Sequence, residues 1–224
     1  MTEKQQMKLY LLMQNKGDLA KAREAYEFVM GEEAEPQQTP LVSNTQKDGV
    51  YLVYADGRNE SFTGTNSKDD VIGIGVRVGK RYTVLALHDV TEDDECEYPL
   101  LSTTGNDTDE DRANYKDKWY KAYSDLEGKK HTKRLLARGC NIPLNENEYI
   151  PAIGEWLIVF QNLALVQDAL EYVDGDMLKD TWYWSSTEYS SNGAWNVSAT
   201  TGGIYYGYKT GTYRVRPCLS CEAI

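Results

Sequence analysis

Alternating apolar and polar positions predict two β-hairpins at the start of the main folded region. In residues 49–63, Val50, Leu52 and Tyr54 recur at every second position, and Ala55-Asp56-Gly57 supplies the turn. Residues 71–90 repeat this pattern. Their GIGVRVG run resembles a nucleotide-binding glycine loop, but such a loop leads into a helix, whereas the RYTVLAL that follows predicts another strand. We therefore expect these glycines at strand or bulge positions.

Helical spacing of apolar residues predicts a small unit that precedes the hairpins. Residues 1–35 contain two apolar stripes of helical period, separated at Gly17-Asp18, where Asp18 is a suitable N-cap. They predict a helical hairpin. Residues 36–48 are polar and begin with the prolines Pro36 and Pro40, so they predict a linker.

Two further helical regions are expected in the middle of the chain. The first runs over residues 112–138, and Gly128 and Gly139 are predicted to stop helices there. The second covers residues 149–175 as one amphipathic helix or two joined helices. Between the hairpins and these helices, the acidic residues 91–111 predict a solvated loop, because the EF-hand spacing that calcium would require is absent.

The pattern changes again from Trp182 onward, where short apolar runs alternate with Gly, Asn, Ser and Thr. Strands are predicted near Trp182–Ser185, Ala194–Ser198, Gly203–Tyr208 and Tyr213–Leu219. Hairpins followed by helices and then by strands predict an α+β domain over residues 49–224, in which the late strands join the early sheet.

Composition singles out residues 182–216 as a binding surface. Of these 35 residues, 26 are Tyr, Trp, Gly, Ser, Thr or Asn. Tyr and Trp give broad contact area at low entropic cost, and Ser, Gly and Asn give adaptable hydrogen bonds. The segment holds no His, no Cys and no pair of carboxylates, which argues against catalysis.

The distribution of charge along the chain limits the classes of binding partner that we expect. The 224-residue chain has a net charge of −11, but residues 182–216 carry three cations and one acid, which leaves −13 on the rest. An acidic body argues against nucleic acid as the main partner and against adsorption to anionic lipid. No apolar run reaches membrane-spanning length, so membrane insertion is not expected, and residues 1–18 lack the apolar region of a signal peptide.

Cysteine and histidine content argues against a cofactor or metal. Four cysteines are too few for a disulfide scaffold, and the CLSC spacing of Cys218 and Cys221 has no second pair of ligands nearby for zinc. Free thiols are expected instead. We predict no cofactor, no metal and no catalytic residue.

Five ordered pieces carry a resemblance to a known family: YIPAIGEW, WYWSSTEYSS, NGAWNV, GGIYYGYK and YRVRPCL. In order and spacing they resemble the variable proteins of diversity-generating retroelements, which include phage major tropism determinants. The resemblance covers residues 49–224 in layout and is most specific over residues 149–217. It implies a C-type lectin fold with small antiparallel sheets and two main helices, and a hypervariable region over about 182–216.

The family's mutagenesis adds a rule that can be tested on this sequence. Template adenines are copied as random bases, so Asn codons at mutable positions become Tyr, Ser, Thr, Gly, Asp, His or Ala. The positions reachable from Asn by that rule are Gly193, Ser198, Thr201, Gly203, Tyr205, Tyr206, Gly207, Tyr208, Thr210, Gly211 and Tyr213. Together with Asn196 and Arg214, we expect Gly193, Ser198, Thr201, Gly203, Tyr205, Tyr206, Tyr208, Thr210 and Tyr213 to bind ligand. Strand alternation predicts that Tyr205 or Tyr206 packs inward.

The interspersed positions resemble the family's fixed framework and should be buried or structural, as should the Trp residues. They are Trp184, Ser185, Ser186, Glu188, Trp195, Val197, Gly202, Lys209, Val215, Arg216 and Pro217. The sequence departs from calcium-dependent sugar-binding lectins of this fold, because Trp195-Asn196-Val197 lacks their ligating Asp and no Glu-Pro-Asn occurs. Calcium-mediated sugar binding is therefore not expected.

Three functions stay open at this level. The leading hypothesis is a non-enzymatic protein that binds a receptor or ligand for phage or cell-surface attachment. Its location would be the virion or a prophage-encoding cell, with the cytoplasm before assembly, and its partner an unidentified protein or surface receptor. A thiol enzyme similar to the formylglycine-generating enzymes is the second, with Cys218 and Cys221 as the comparison, and a structural tail or baseplate subunit is the third. Homo-oligomerisation stays open.

Overall fold

The computed structural model describes residues 47–91, 96–103 and 119–220, which form an α+β fold of small antiparallel sheets and four helices. The strands are β1 (Gly49–Tyr54), β2 (Asn59–Ser61), β3 (Val71–Val78), β4 (Arg81–Ala86), β5 (Tyr98–Pro99), β6 (Glu148–Tyr149), β7 (Trp182–Glu188), β8 (Gly193–Ser198), β9 (Ile204–Tyr208), β10 (Thr212–Tyr213) and β11 (Cys218–Leu219). The helices are α1 (Trp119–Ser124), α2 (Gly128–Ala137), α3 (Ile153–Phe160) and α4 (Leu163–Tyr172). The predicted helical hairpin over residues 1–35 and nearly all of the 36–48 linker lie outside the described residues.

The larger sheet contains both predicted hairpins. Its strand order is β2-β1-β3-β4-β11-β6, and the β3–β4 turn sits at Gly79, whose φ of 59° favours glycine. Gly75 lies within strand β3, as predicted. Glycine is needed there because the ring of Tyr82 on β4 lies across it and would meet an added Cβ. Strand β11 pairs with β4, so one late strand does join the early sheet.

The helices follow the apolar periodicity with one difference. Helices α3 and α4 are the two joined helices that were one of the two alternatives for residues 149–175, and α2 ends just before Gly139, whose φ is 89°. Gly128, however, begins α2 instead of stopping a helix. A Cβ there would lie 2.2 Å from Glu155 Oε2 and 2.8 Å from the Ala152 nitrogen, so close packing of α2 on the start of α3 requires this glycine.

A separate sheet of order β7-β8-β9 holds most of residues 182–216. Both faces of strands β7 and β8 are covered by buried hydrophobic residues. Tyr183 and Val197 belong to the main hydrophobic core, whereas Trp184 and Ala194 belong to a second core on the opposite side. The prediction that the late strands join the early sheet is therefore wrong for β7, β8 and β9, and also for β10, which pairs with β5 in a two-stranded sheet.

The acidic stretch over residues 91–111 is not simply a solvated loop. Its described part contains β5, which pairs with β10, and Tyr98, Leu100 and Leu101 are buried in the second core. The local YPLL run explains the difference, because its apolar side chains cover Trp184, whose Nε1 donates to the Tyr98 carbonyl at 2.7 Å.

Among the described residues, no helix has both the length and the apolar character needed to cross a membrane.

Candidate functional site

Residues 182–216 divide into a buried part and an exposed edge. Every residue of β8 is buried, whereas β9 exposes Tyr205, Tyr206 and Tyr208 at 60%, 42% and 70% of their surface. These are among the most exposed large side chains of the described chain. Strand position causes the contrast, because β8 is the middle strand between two cores and β9 is an edge strand.

Aromatic rings gather along β9. Tyr205 and Tyr206 come from opposite faces of the strand, yet their rings stack at 5.0 Å, and Tyr206 stacks on Tyr189 at 3.9 Å. The ring of Trp182 lies 6.4 Å from that of Tyr205. The prediction that Tyr205 or Tyr206 packs inward is wrong, since side chains of an edge strand can lean out past its open side. We call Trp182, Tyr189, Tyr205, Tyr206 and Tyr208 the aromatic edge.

Polar turns extend this surface at both ends of β9. Thr201 and Thr210 are exposed, and Gly203 is half-buried. The first turn is held by Ser198, whose Oγ accepts a hydrogen bond from Thr201 Oγ1 at 2.9 Å. Short hydroxyls beside the rings give the adaptable hydrogen bonding that suits a binding surface.

The charges of residues 182–216 lie beneath this surface in ion pairs. Glu188 accepts hydrogen bonds from the fully buried Lys209 and from Arg138, at 2.5 and 3.0 Å. Asp89 binds Arg214 at 3.1 Å and the fully buried Arg216 at 2.7 Å. Every charged residue of the segment thus has an internal ion-pair partner, and none of these charges belongs to the aromatic edge.

A polar cluster below β7 supports the segment from the other side. Asp125 accepts hydrogen bonds from His131 Nε2 at 2.9 Å and from Thr187 Oγ1 at 2.8 Å. Burial lowers the pKa of His131, but its hydrogen bond to Asp125 and the charge of that carboxylate outweigh this and raise the pKa overall. Glu127 also lies within metal-ligand reach of Asp125 and His131. Because Asp125 already binds His131, Thr187 and the Glu127 peptide nitrogen, the cluster is a satisfied internal network.

Glu155 is a second buried acid in this support. Burial raises the pKa of Glu155 to about 8, although the Ala152 peptide nitrogen and Tyr149 hydroxyl donate to its oxygens at 2.7 and 2.8 Å and oppose that rise. The pair of bonds ties the start of α3 to β6. Neither Glu155 nor Asp125 reaches the aromatic edge, so both act on the scaffold.

The structure separates the predicted ligand-binding residues into three groups. Thr201, Tyr205, Tyr206, Tyr208 and Thr210 are exposed together, and Gly203 is half-buried beside them. The expectation of an outward position is wrong for three residues of the buried strand β8. They are Gly193, Asn196 and Ser198, with Asn196 at 1% exposure.

Tyr213 and Arg214 form the third group, because each is half-buried with an internal partner. The ring of Tyr213 packs edge-on against Trp184 at 4.6 Å, and Arg214 pairs with Asp89. Alternation along β8 did not identify the buried positions, since both faces of that strand are covered by cores that are distant in sequence.

The structure confirms that the predicted framework residues are largely buried. Nearly all of them are buried, and Glu188 and Gly202 are half-buried, with Glu188 in an internal ion pair. Trp182 is the exception among the Trp residues of the segment, at 37% exposure. Tyr189 was missed by the Asn rule, and its place in a Tyr- and Ser-rich turn was the available signal.

Cysteine placement bears on the thiol alternative. Cys218 is fully buried in β11, and its Sγ lies 3.3 Å from Thr83 Oγ1. Cys96, Cys140 and Cys218 are thiols outside any disulfide, as expected, and Cys221 lies outside the described residues. A thiol in this position has no path to a substrate at the surface.

Comparison with known proteins gives one distant likeness. No protein-family model and no curated protein matches the chain. A solved structure of a fimbrial protein from Bacteroides ovatus is similar at 21% identity and a TM-score of 0.46. The matched region covers 78% of this chain and 49% of the fimbrial protein, so the chain spans about half the length of that neighbour.

Proposed function

We propose that this chain is a non-enzymatic ligand-binding protein whose aromatic edge is a retroelement-diversified surface on a C-type lectin scaffold. One observation carries the proposal. The Asn-reachable residues Thr201, Tyr205, Tyr206, Tyr208 and Thr210 lie exposed together, while nearly all of the framework residues between and around them are buried.

The proposal is supported by the fact that the residues which stabilise the fold and the residues which are exposed for recognition are different residues. Lys209 lies within the same short stretch as Tyr208 and Thr210, yet it is fully buried against Glu188 and holds the β9 turn in place. Substitutions at exposed neighbours leave that ion pair and the Trp184 core intact. A scaffold of this kind can carry many surfaces, because function lies on the patch and folding depends on the core.

Side-chain chemistry favours recognition over catalysis. The aromatic edge offers rings with wet hydroxyls, and the charged residues of 182–216 are held in ion pairs. Tyrosine is suited to this role because its ring contacts apolar groups while its hydroxyl bonds with water or partner. Attachment to a protein or surface receptor, from a phage tail or a cell surface, is the function that the family resemblance implies.

Population sequencing of the coding segment tests this proposal. If the surface is diversified, amino-acid changes should concentrate at codons 201, 205, 206, 208 and 210, and the neighbouring DNA should hold a reverse transcriptase gene and a near-copy of the 182–216 segment. Codons for Trp184 and Lys209 should stay constant, and strands β1 to β4 provide the matched control. Variation spread evenly over both regions, or no near-copy, would instead favour a fixed structural subunit.

A further inference from the structure

Within the part of the chain that the structure describes, strand β9 leaves one side of its sheet open. On the inner side it pairs antiparallel with β8 over Val197↔Ile204 to Gly193↔Tyr208. On the outer side, no strand of the described residues pairs with it. Such an edge carries peptide groups that another extended chain can pair with.

The register shows which peptide groups face outward. The Ser198 nitrogen donates to the Gly203 carbonyl at 2.8 Å, and the Lys209 nitrogen donates to the Asn192 carbonyl at 2.9 Å. In an antiparallel ladder, residues that bond to the neighbour alternate with residues that point away. The peptide groups of residues 205 and 207 therefore face β8, and those of Ile204 and Tyr206 point to the open side.

Tyr208 completes this row at one end. Its carbonyl accepts a hydrogen bond from the Gly211 nitrogen at 2.8 Å, so the turn that follows closes the edge there. The Tyr208 nitrogen is left with the peptide groups of Ile204 and Tyr206 on the open side. Ile204 and Tyr206 each offer an outward-facing N–H and C=O on the open side, and Tyr208 offers its N–H. Together these groups could pair with one short added strand.

The usual protections of an edge are absent from β9. Natural edges carry Lys or other charges, Pro, or a bulge to prevent pairing with another chain. Residues 204–208 are IYYGY, with no charge and no proline, and their register with β8 is continuous. The nearby Lys209 does not shield the edge, because it is fully buried beneath it.

We propose that the open side of β9 binds an extended, uncharged peptide segment of a partner protein by strand addition. This inference rests on the proposed function and names its partner class. Main-chain hydrogen bonds would supply affinity that does not depend on which side chains occupy positions 205, 206 and 208. Because the Tyr205 and Tyr206 rings stack on each other past this edge, their stack must open for a strand to enter. The separated rings then flank the added strand from both faces and supply specificity. Diversification could thus change the target without removing the basic mode of attachment.

Charge selects this occupant over a second copy of the chain. The aromatic edge is uncharged because Glu188, Lys209, Arg214 and Arg216 are paired internally, so it favours a neutral segment. Pairing β9 with β9 of another copy would bring together two bodies that each carry a net charge of −11. That repulsion opposes self-association.

A matched pair of variants at residue 206 tests strand addition in the full chain. Tyr206→Ala removes the ring and keeps the N–H, whereas Tyr206→Pro removes both. Proline is tolerated on an edge strand where the N–H points away from the sheet, so the variant should fold. The probe is a synthetic linear peptide selected from a displayed library of random uncharged peptides on the unmodified chain. Titration should show Tyr206→Pro binding about tenfold more weakly than Tyr206→Ala, the worth of one main-chain hydrogen bond.

Hydrogen exchange on the unmodified protein gives a second readout that does not depend on the proline variant. Adding the peptide should slow exchange of the Ile204, Tyr206 and Tyr208 amides, while the Tyr205 and Gly207 amides, already bonded to β8, change little. Equal affinity of the two variants with no slowing would overturn strand addition. Failure to select any peptide, or a dimer that Tyr206→Pro dissolves, would overturn the peptide as occupant. Diversity at the exposed codons would still support the proposed function in each of these cases.

Discussion

Strands β8 and β9 are neighbours in one sheet and both contain aromatic residues and a glycine, but their surroundings are opposite. Strand β8 is buried along its whole length, with Trp195 and Val197 facing one core and Ala194 facing another. Strand β9 is an edge strand that exposes Tyr205, Tyr206 and Tyr208. Aromatic side chains serve stability in one strand and are exposed for recognition in the next, because sheet position decides which side chains meet a core.

The charged residues of 182–216, like the side chains of β8, lie in the supporting structure instead of on the aromatic edge. The cations of residues 182–216 are paired with Glu188 and Asp89, so these ion pairs lie in the supporting structure and not on the aromatic edge. Breaking a buried pair leaves an uncompensated charge, whereas trimming an exposed ring leaves only water in its place. Substitutions in the two regions should therefore differ sharply in their effect on the free energy of unfolding.

The largest effect is expected from Asp89→Ala. This change leaves the fully buried Arg216 without its carboxylate and removes the partner of Arg214, so the free energy of unfolding should fall by about 3–5 kcal/mol. Chemical denaturation measures it. Asp180→Ala is the matched control, because that exposed carboxylate lies near the same segment and accepts a hydrogen bond from Thr200. Equal losses in the two variants would contradict the division.

A pH-dependent effect should come from Glu155 in the buried support. Its pKa is raised from 4.5 to about 8 in the folded protein, so the protonated form is favoured by folding. That contribution is complete below pH 4.5 and is lost as the pH rises to 8, at a slope of at most about 1.4 kcal/mol per pH unit. Denaturation of the unmodified protein and of Glu155→Gln over pH 5–8 should show a steeper fall in the former, because His131, whose pKa is also raised, contributes a fall above pH 6.5 to both proteins. Parallel pH profiles would show that Glu155 does not cause it.

An intermediate effect is expected at Gly207, which lies on β9 but touches the framework. A Cβ there would meet the Tyr213 ring at 2.8 Å, and that ring packs on Trp184. Gly207→Ala should lower the free energy of unfolding by about 1–3 kcal/mol. Gly203→Ala is the control, because its Cβ would meet only Thr201 Oγ1 at 3.1 Å. If both glycines tolerate alanine equally, Tyr213 moves freely and belongs to the variable surface.

The smallest effect is expected from Tyr208→Ala. The side chain is 70% exposed, so its removal should change the free energy of unfolding by less than about 0.5 kcal/mol. Trp184→Ala, which empties a fully buried site, should cost about 3–5 kcal/mol in the same assay. A large loss from Tyr208→Ala would place that ring in the core and remove it from the proposed binding surface.

Local patterns predicted much of the scaffold. Period-two alternation identified β1 to β4, and helical spacing identified α3 and α4, because these signals depend on residues that are near each other in the chain. The pairing of β5 with β10 joins segments more than a hundred residues apart. Gly128 was misassigned for a similar reason, since its role depends on Glu155 and Ala152 of another helix.

The candidate site was predicted in the same uneven way. The composition of residues 182–216, with the family resemblance, identified the segment and most of its exposed tyrosines. Asn196 and Ser198 were assigned to the surface because their residue types suit it, but β8 lies between two cores. Tyr189 and Trp182 were recognised only through the rings that they contact.

By itself, the sequence determined the α+β class, the main hairpins and helices, and the location of a Tyr-rich segment with few charges. The tertiary structure alone decided which residues of that segment face outward and how its charges are neutralised. Burial on a strand depends on what covers each face, and ion pairs such as Asp89 with Arg216 join residues that are distant in the chain. Composition can therefore locate a surface, but only packing decides which of its side chains are free to bind.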